Sequence, residues 1–316
     1  MQSKSGRVVV LATGGTLAGT SAAAGDDVGY RAGQIGVAQL LAAVPGLNAF
    51  DLEARQLAQI DSKDMDHALW QRLAQRVQAE LDRPEVAGLV ITHGTDTLEE
   101  TAWFLHRVLA PRKPVVLTAA MRPATALMAD GPQNLLDAVL LASGAAGGEP
   151  SGVLAMLAGQ VHGAEDVRKL HGYRIDAFSS GDAGPLAVME EGRLRPFRAW
   201  PSAAALGLAR IAAPATDWPR VGVVCSHAGC DGALVDALCA MGYQGLVIEG
   251  TGNGTVHESL ETAVQRVLGQ HPRLQVLRAT RCQLGGVVGA PAGALPSAGG
   301  LSPAKARIEL MLRLMA

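Results

Sequence analysis

The sequence predicts a two-domain α/β protein, with a larger N-terminal, mainly parallel sheet flanked by helices and a smaller C-terminal α/β domain. Strand-like and helix-like segments alternate along most of the 316 residues, which is typical of βαβ units. Hydrophobic residues make up 48% of the chain but aromatic residues only 3%, so the core must consist mostly of Ala, Val and Leu. This composition suits helices packed on a buried parallel sheet.

Short β-branched runs mark the strands, and longer amphipathic stretches between them mark the helices. We expect strands near 7–12, 88–92, 114–118, 152–157, 221–225, 245–249 and 274–278. We expect helices near 36–43, 64–82, 97–109, 132–143, 231–241, 255–269 and 303–315. Pro132 and Pro303 fall in the first turns of two of these helices, where the N–H that proline lacks is not needed.

A proline-containing stretch interrupts this alternation. Residues 193–219 hold four prolines, an alanine-rich tract and no clear strand. A new series of strands begins directly after it. We therefore interpret 193–219 as a linker between an N-terminal domain, 1–192, and a C-terminal domain, 220–316.

Charge and composition argue against several classes of partner. The formal net charge of −2 gives no reason to expect nucleic acid or an anionic membrane as a partner. No run of about 18 apolar residues is present, and the N-terminus lacks the apolar segment of a signal peptide. The four cysteines lie at positions 225, 230, 239 and 282. Because they lack the CxxC spacing of metal sites, we expect reduced thiols in a cytoplasmic protein without a metal site.

The segment 8–19 joins a strand-like run to a glycine-rich loop that carries Thr13 and Thr16. A parallel strand presents such a loop at the carboxyl edge of its sheet, where open α/β folds bind ligands. A threonine hydroxyl is a good nucleophile only when a neighbouring group accepts its proton, and no base adjoins Thr16 in sequence. The alternative is that both hydroxyls bond only to loop backbone, as turn hydroxyls often do.

The segment 88–97 has the same design, because a β-branched run is followed by His93-Gly-Thr-Asp-Thr97 and a helix start. An aspartate at this edge can hold a substrate ammonium group, while a helix N-terminus can hold a carboxylate. Asp96 or Thr97 alone could be a helix cap, but Thr95 and Asp96 together exceed what a cap requires. His93 in such a setting is more often a packed, hydrogen-bonded residue than a catalytic one.

The two loops resemble the twin signatures of the bacterial-type asparaginase/glutaminase family. Further segments similar to that family follow in order: Ile60–Met65, Thr118–Pro123, Ala129–Leu135, Asp166–Lys169, Thr251–Gly254 and Leu301–Arg307. The resemblance therefore covers nearly the whole chain. Several independent motifs in the correct order are not expected by chance.

This resemblance implies hydrolysis of L-asparagine to L-aspartate and ammonia by a threonine nucleophile, through an acyl-enzyme ester. Thr16 matches the nucleophile, and Tyr30 matches the tyrosine of a mobile loop beside it. Thr95, Asp96 and Lys169 match a second triad. In that triad Lys169 tunes a hydroxyl or a water through Thr95, and Asp96 grips the α-amino group. Which threonine attacks first stays open at this point.

The resemblance also implies how the substrate is held. Ser62 matches the residue that holds the α-carboxylate, and backbone N–H groups at Gly15 and nearby are candidates for an oxyanion hole. Members of the family assemble as dimers paired into tetramers, with sites shared between subunits. We therefore expect a homo-oligomer in which Asn253 contributes across an interface. The chemistry needs neither a metal nor an organic cofactor.

Two departures from the periplasmic relatives bear on specificity. Asp61 and Lys63 flank Ser62 where those relatives usually carry Gly and Gln, and the Asp-Ser pair is more similar to cytoplasmic members. The periplasmic enzymes also borrow a glutamate from a neighbouring subunit, but the matching stretch, Gly285–Ala294, has no acidic residue. The substrate ammonium must then be held differently, so the choice between asparagine and glutamine stays open.

Two other functions remain as alternatives. An amidase subunit acting on aminoacyl-tRNA would need an RNA-binding extension or a basic face, and the sequence indicates neither. A non-catalytic amino-acid sensor would keep the pocket without needing a nucleophile, whereas this chain retains the nucleophile and the whole second triad. Release of ammonia from asparagine would separate an enzyme from a sensor.

Overall fold

The computed structural model describes residues 6–19, 33–289 and 293–315. The chain divides into two compact units, of which one ends at Leu208 and the other begins at Ala209. This division lies inside the stretch 193–219, and the exact limits of the two domains stay a prediction. Each unit has a sheet and helices of its own.

One mixed eight-stranded sheet forms the centre of the described N-terminal unit. The strands of this unit are β1 (Arg7–Gly14), β2 (Leu52–Ile60), β3 (Val86–Thr92), β4 (Pro114–Thr118), β5 (Gly152–Leu157), β6 (Gln160–Gly163), β7 (Arg168–Lys169), β8 (Phe178–Ser179), β9 (Ala187–Glu190) and β10 (Arg193–Pro196). The sheet order is β10-β9-β6-β5-β4-β3-β1-β2, and β7 pairs with β8 separately. The pairs from β5 to β2 are parallel, while β6, β9 and β10 are added antiparallel.

Helices cover this sheet because its strands are apolar on both faces. The helices of the unit are α1 (Val37–Ala42), α2 (His67–Leu81), α3 (Leu98–Leu109) and α4 (Gly131–Ala142). Val8 and Val10 of β1 lie in one cluster with residues of α1 and α4. Val9 and Leu11 alternate with them and point to the other face, yet all four are fully buried. The predicted fold class, a mainly parallel sheet with flanking helices, is confirmed.

Several strands were not predicted. β2 was missed because its sequence, LEARQLAQI, is rich in charged and amide side chains and much of it is exposed at the sheet edge. The stretch 193–219 was expected to hold no strand, and this was wrong for Arg193–Pro196, which pairs antiparallel with β9 as β10. Charged residues are common on edge strands, because they discourage pairing with other chains. An apolar pattern therefore reveals the long central strands better than edge strands or short strands such as β6 and β9, which were also missed.

The C-terminal unit is built on a three-stranded parallel sheet in the order β11-β12-β13. Its elements are β11 (Val221–Cys225), α5 (Ala233–Ala240), β12 (Gly245–Gly250), α6 (Glu258–Gln270), β13 (Gln275–Thr280) and α7 (Pro303–Leu314). Residues of α5 and α6 form an apolar cluster with one face of the sheet, and residues of α7 pack on the other face. Ser302 caps α7, with its Oγ accepting from the N–H of Lys305 at 3.3 Å.

Helix α2 begins three residues later than the predicted helix 64–82. Asp66 caps it, because its Oδ1 accepts from the N–H of Leu69 at 2.7 Å. The preceding residues, Ser62–Asp64, form a separate turn of 3₁₀-helix directly after β2. Ser62 therefore lies in the short 3₁₀ turn that follows the end of β2, before α2 begins.

Within the described residues, no helix is long and apolar enough to cross a membrane. In the same part of the chain, no group of three or more His, Cys, Asp and Glu side chains is placed to hold a metal ion. All four cysteines are free thiols.

Candidate active site

Three neighbouring parallel strands end at one edge of the large sheet. β1 lies between β2 and β3, so that Gly14 pairs with Ile60 of β2 and Ala12 pairs with Thr92 of β3. The loop after each strand therefore emerges at the same carboxyl edge, where ligands bind in open α/β folds. These loops carry Thr16, Ser62 and the His93–Thr97 segment.

Glycine lets two of these loops touch backbone to backbone. Gly15 has a φ of +86°, and a Cβ at this position would lie 2.5 Å from the backbone N of Gly94 and the backbone O of His93. A Cβ on Gly94 would in turn lie 2.7 Å from the Cβ of Ser62. Thr16, next to Gly15 in the chain, is thereby held beside the second loop. Thr16 is itself buried.

The other hydroxyl of the first loop has a structural bond. Thr13 donates from Oγ1 to the backbone O of Thr92 at 2.9 Å, which ties β1 to the end of β3. The interpretation as a backbone-bonding hydroxyl is therefore confirmed for Thr13. Gly15 corrects another expectation, because its N–H donates to the backbone O of Ile60 at 2.9 Å. In this conformation that N–H is unavailable to an oxyanion.

Lys169 joins the two polar side chains of the second loop. Its Nζ donates to Thr95 Oγ1 at 2.8 Å and to Asp96 Oδ1 at 2.6 Å. The Lys169 side chain is 19% exposed and that of Asp96 is 51% exposed, so the pair lies at the wall of an open site. Because the ammonium donates to Thr95 Oγ1, the hydroxyl hydrogen of Thr95 is directed to a different acceptor.

Glu99, in the first turn of α3, holds the chain at Lys169. Its Oε2 accepts a hydrogen bond from the backbone N–H of Lys169 at 2.8 Å. No role was predicted for Glu99 from the sequence. The sequence signal that could have pointed to Glu99 is the pair of acidic residues Glu99 and Glu100 in the first turn of α3. One acidic residue there already interacts favourably with the helix dipole, so the second one suggests a further role.

Ser62 is bound to the second loop at two points. Its Oγ accepts from the N–H of Asp96 at 3.2 Å, and its backbone O accepts from Thr97 Oγ1 at 2.7 Å. Thr97 is the N-cap residue of α3, but its side chain makes no capping hydrogen bond. One of the two Oγ lone pairs of Ser62 is thus used by the loop, and its hydroxyl hydrogen remains to donate.

His93 is a packed, hydrogen-bonded residue, as the sequence favoured. Its Nδ1 lies 2.7 Å from the backbone O of Gly94 and its Nε2 lies 3.0 Å from Thr101 Oγ1. The indole Nε1 of Trp70 donates to the same Thr101 Oγ1 at 2.9 Å. Complete burial lowers the pKa of His93 to about 4, so the ring is neutral at pH 7. Since a carbonyl only accepts, Nδ1 carries the hydrogen, and Nε2 accepts from Thr101.

Family models match almost the whole chain. The model described as "Asparaginase, N-terminal" matches residues 7–201, and the "Glutaminase/Asparaginase C-terminal domain" matches residues 220–316. The chain belongs to the asparaginase family. The resemblance stated from the motifs is thereby confirmed.

Individual proteins of the asparaginase family are similar over most of their length. A "Glutaminase-asparaginase" of Pseudomonas fluorescens biotype A is 35% identical over 288 residues, which cover 91% of this chain and 78% of that protein. A "Probable L-asparaginase periplasmic" of Haemophilus influenzae is 34% identical over 317 residues, which cover 97% of this chain and 88% of that protein. The crystal structure of a probable cytoplasmic L-asparaginase from Campylobacter jejuni matches with a TM-score of 0.90 and 36% identity. The match covers 98% of this chain and 95% of that chain.

Two asparaginase-family residues named from the sequence keep their predicted roles as predictions. Tyr30 lies outside the described residues. Asn253 belongs to the C-terminal unit, where its Nδ2 donates to the backbone O of Val288 at 2.7 Å and its Oδ1 accepts from the N–H of Val288 at 2.7 Å. Both polar atoms of the Asn253 amide are therefore engaged locally. Its role toward substrate stays a prediction.

A second polar network, which was given no role from the sequence, fixes the loop after β4. The two carboxylate oxygens of Asp130 accept from the N–H groups of Met121 and Arg122 at 3.0 and 2.9 Å. Asn134, one turn further into α4, donates from Nδ2 to the backbone O of Ala119 at 2.9 Å. The segments that contain these residues resembled the asparaginase family, but sequence alone does not show which loop they hold.

Proposed function

We propose that this chain is an amidohydrolase that converts L-asparagine to L-aspartate and ammonia, with Thr16 as the nucleophile. The contact of Lys169 Nζ with Thr95 Oγ1 and Asp96 Oδ1, at 2.8 and 2.6 Å, is the main support. It joins the ammonium group of Lys169 to a hydroxyl and a carboxylate of the loop that packs against Gly15. The names of the similar proteins support asparagine as the substrate.

The site has groups of the right polarity for an amino-acid zwitterion. Asp96 is half exposed and uses Oδ1 for Lys169, so its other carboxylate oxygen can accept from the α-ammonium group. Ser62 has a hydroxyl hydrogen to donate to the α-carboxylate. Binding both ends of the zwitterion would direct the side-chain amide toward the two threonine loops, which is the positioning that catalysis requires.

In the proposed reaction, Thr16 Oγ attacks the side-chain amide carbon and loses its proton to a neighbouring base. The amide C–N bond then breaks, the nitrogen takes up a proton and leaves as ammonia, and an aspartyl ester remains on Thr16. The N–H of Thr95 has no acceptor among the described residues, so it replaces Gly15 as the candidate oxyanion donor. Water then hydrolyses the ester and releases aspartate.

The second loop supplies the polar groups for the water step. Thr95 accepts from Lys169 and directs its own hydrogen elsewhere, so it can orient a water or transfer a proton. This arrangement gives the two threonines different roles, with Thr16 forming the covalent bond and Thr95 acting with Lys169.

Ammonia release from L-asparagine tests the proposal. The wild type is expected to release ammonia, and Thr16→Ser is expected to retain part of this activity. In Thr16→Ala the rate of ammonia release is expected to fall roughly a thousandfold or more, as it does when a nucleophile is removed. Binding of L-aspartate by Thr16→Ala is the control for a folded site. A wild type that binds asparagine without releasing ammonia would instead be a sensor, and Thr16→Ala within tenfold of wild type would exclude Thr16 as the nucleophile.

We also propose a cytoplasmic location. The four free thiols fit a reducing compartment, and a similar solved structure is named as a cytoplasmic L-asparaginase. A similar protein of Haemophilus influenzae is named as periplasmic, so the family includes both locations. Fractionation of the native host tests this location. We expect the asparaginase activity to follow a cytoplasmic marker, and activity that is released with periplasmic proteins would contradict the proposal.

A further inference from the structure

The carboxylate of Asp130 lies at the start of helix α4 but does not cap that helix. Asp130 is the N-cap residue, and its side chain makes no capping hydrogen bond to the described backbone of α4. Gly131 and Pro132 follow it, and proline has no N–H that could donate to an aspartate. A capping aspartate usually stabilises its helix, so the use of this carboxylate elsewhere requires an explanation.

Both oxygens of Asp130 point back to the loop that follows β4. Oδ2 accepts from the N–H of Met121 at 3.0 Å, and Oδ1 accepts from the N–H of Arg122 at 2.9 Å. Hydrogen bonds from backbone N–H groups to an ionised carboxylate are stronger than those between neutral groups. Asn134 Nδ2 donates to the same Oδ2 at 3.2 Å and to the backbone O of Ala119 at 2.9 Å. The start of α4 therefore fixes this loop at three of its residues.

The same loop is bonded to the turn that carries the proposed nucleophile. Residues Thr16–Ala18 form one turn of 3₁₀-helix, and the N–H of Gly19 donates to the backbone O of Thr16 at 2.7 Å. The backbone O of Gly19 accepts in turn from the N–H of Ala124 at 3.1 Å. Pro123, whose ring fixes φ, is the one residue between Ala124 and the two N–H groups that the carboxylate holds. A short, stiff segment thus connects the carboxylate to the turn.

A direct contact gives the start of α4 a second connection to this turn. A Cβ on Gly131 would lie 3.2 Å from Leu17 Cγ and 3.3 Å from Ala120 Cβ, so the helix approaches both side chains closely. Leu17 is buried in the apolar cluster that includes Ala120 and Leu135 of α4. Because Leu17 directly follows Thr16, its packing limits how far the turn can move. Neither connection involves the residues proposed to bind the two ends of the zwitterion.

We propose that Asp130 is a positioning residue for the covalent step of the proposed reaction. By holding the loop after β4, it keeps the turn of Thr16 where the hydroxyl can reach the side-chain amide carbon. It acts through backbone groups of the loop rather than on the substrate. A displacement of about 1 Å in a reacting group can cost about a hundredfold in rate, so this support matters for attack. The inference rests on the proposed function, because it assigns the attack to Thr16.

Rapid-quench kinetics at saturating L-asparagine test this role. Ammonia leaves when the ester forms, so the first turnover of ammonia reports the covalent step. Asp130→Asn keeps one acceptor oxygen and Asp130→Ala keeps none. We expect the first turnover to slow about tenfold in Asp130→Asn and about a hundredfold in Asp130→Ala. Less ester should be present on Thr16 during turnover than in wild type, whereas slowing of the water step would raise that amount.

Asp137→Asn is the matched control, because it changes a second carboxylate of the same helix. Asp137 Oδ1 accepts from Gln133 Nε2 at 2.8 Å, within α4 itself, and this variant is expected to release ammonia at the wild-type rate. Binding of L-aspartate is expected to be equal in all these variants, since Ser62 and Asp96 are unchanged. Weaker aspartate binding by Asp130→Asn, with a wild-type first turnover at saturation, would assign Asp130 to substrate binding and overturn the proposal.

Thermal unfolding and a further variant separate positioning from a purely structural role. An Asp130→Asn protein that melts at a lower temperature but releases ammonia at the wild-type rate would overturn the proposal. If neither Asp130 variant folds, Gly131→Ala carries the test, because its new Cβ must displace Leu17 beside Thr16. Its first turnover should slow severalfold with aspartate binding unchanged, and a wild-type rate would count against the inference.

Activity of the wild type distinguishes the two proposals. A wild type that releases no ammonia would overturn the proposed function, and this inference with it. An active wild type whose Asp130 variants release ammonia at the same rate would overturn the inference alone.

Discussion

His93 adjoins the second threonine loop, but its chemistry is that of a core residue. Both ring nitrogens are hydrogen-bonded, to the backbone O of Gly94 and to Thr101 Oγ1, and burial lowers the pKa to about 4. In the neutral ring, Nε2 accepts from Thr101 Oγ1, which itself accepts from Trp70 Nε1. The imidazole therefore fixes the carbonyl next to Thr95 rather than exchanging protons with substrate.

This pKa predicts how stability depends on pH. Between pH 6.5 and about 4 the unfolded chain binds a proton on His93 that the folded chain does not, so stability present above pH 6.5 is lost as the pH falls. The loss reaches about 3 kcal/mol near pH 4. Denaturant unfolding at pH 7 and pH 4.5 should show a smaller loss for His93→Asn than for wild type. His271→Asn, at an exposed ring, is the control, and equal losses in all three proteins would contradict the assignment.

Residue types at the site could be predicted better than their hydrogen bonds. Thr95, Asp96 and Lys169 were named from motifs, and they contact one another directly. The N–H of Gly15 was named as an oxyanion donor, yet it bonds to the backbone O of Ile60. That acceptor belongs to β2, a strand that the sequence did not reveal. A backbone donor can be assigned only when the neighbouring strand is known.

At the scale of elements, the site depends on glycines that let three loops meet. In Gly94→Ala the new Cβ would lie 2.7 Å from the Cβ of Ser62, so the Ser62 loop must move. We expect the kcat/KM for asparagine to fall about a hundredfold, chiefly through KM, because Ser62 would no longer hold the α-carboxylate. Gly36→Ala, where no atom lies within 4 Å of a new Cβ, is the matched control. Comparable kinetics in both variants would refute this dependence.

The side chain of Glu99 connects helix α3 to the short strand β7. Glu99→Ala removes the acceptor for the N–H of Lys169, and we expect kcat to fall about tenfold as the ammonium loses its fixed position beside Thr95. Glu100→Ala removes a charge from the same helical turn and controls for the helix dipole. If the two variants lose the same activity, the effect comes from the dipole and not from Lys169.

Edge strands show where sequence patterns fail at this scale. The central strands β1, β3, β4 and β5 are continuous apolar runs and were predicted within a few residues. β2 and β10 lie at the two ends of the sheet, carry charged side chains and were missed. Apolar periodicity reports burial, whereas strand pairing depends on partners far away in sequence. The position of Ser62 at a strand end could therefore be known only from the fold.

At the scale of the whole molecule, the open question is whether subunits complete each other's sites. Asn253 was expected to act across an interface, and its amide is engaged with Val288 in the structure. A substrate role would use the second Nδ2 hydrogen or the second Oδ1 lone pair, which this pair does not occupy. If Asn253 acts in trans, mixed oligomers of Thr16→Ala and Asn253→Ala should recover part of the activity, because some sites would then contain both native residues. No recovery in oligomers shown to be mixed would argue that each chain uses its own residues.

The residue that carries the covalent intermediate can be located directly. Wild-type protein quenched with acid during turnover of L-asparagine should carry an aspartyl ester on the peptide that contains Thr16, as peptide mass mapping can show. Lys169→Ala, in which we expect a slower water step, should accumulate more of the same ester. An ester found on the peptide that contains Thr95 instead would contradict the roles assigned to the two threonines.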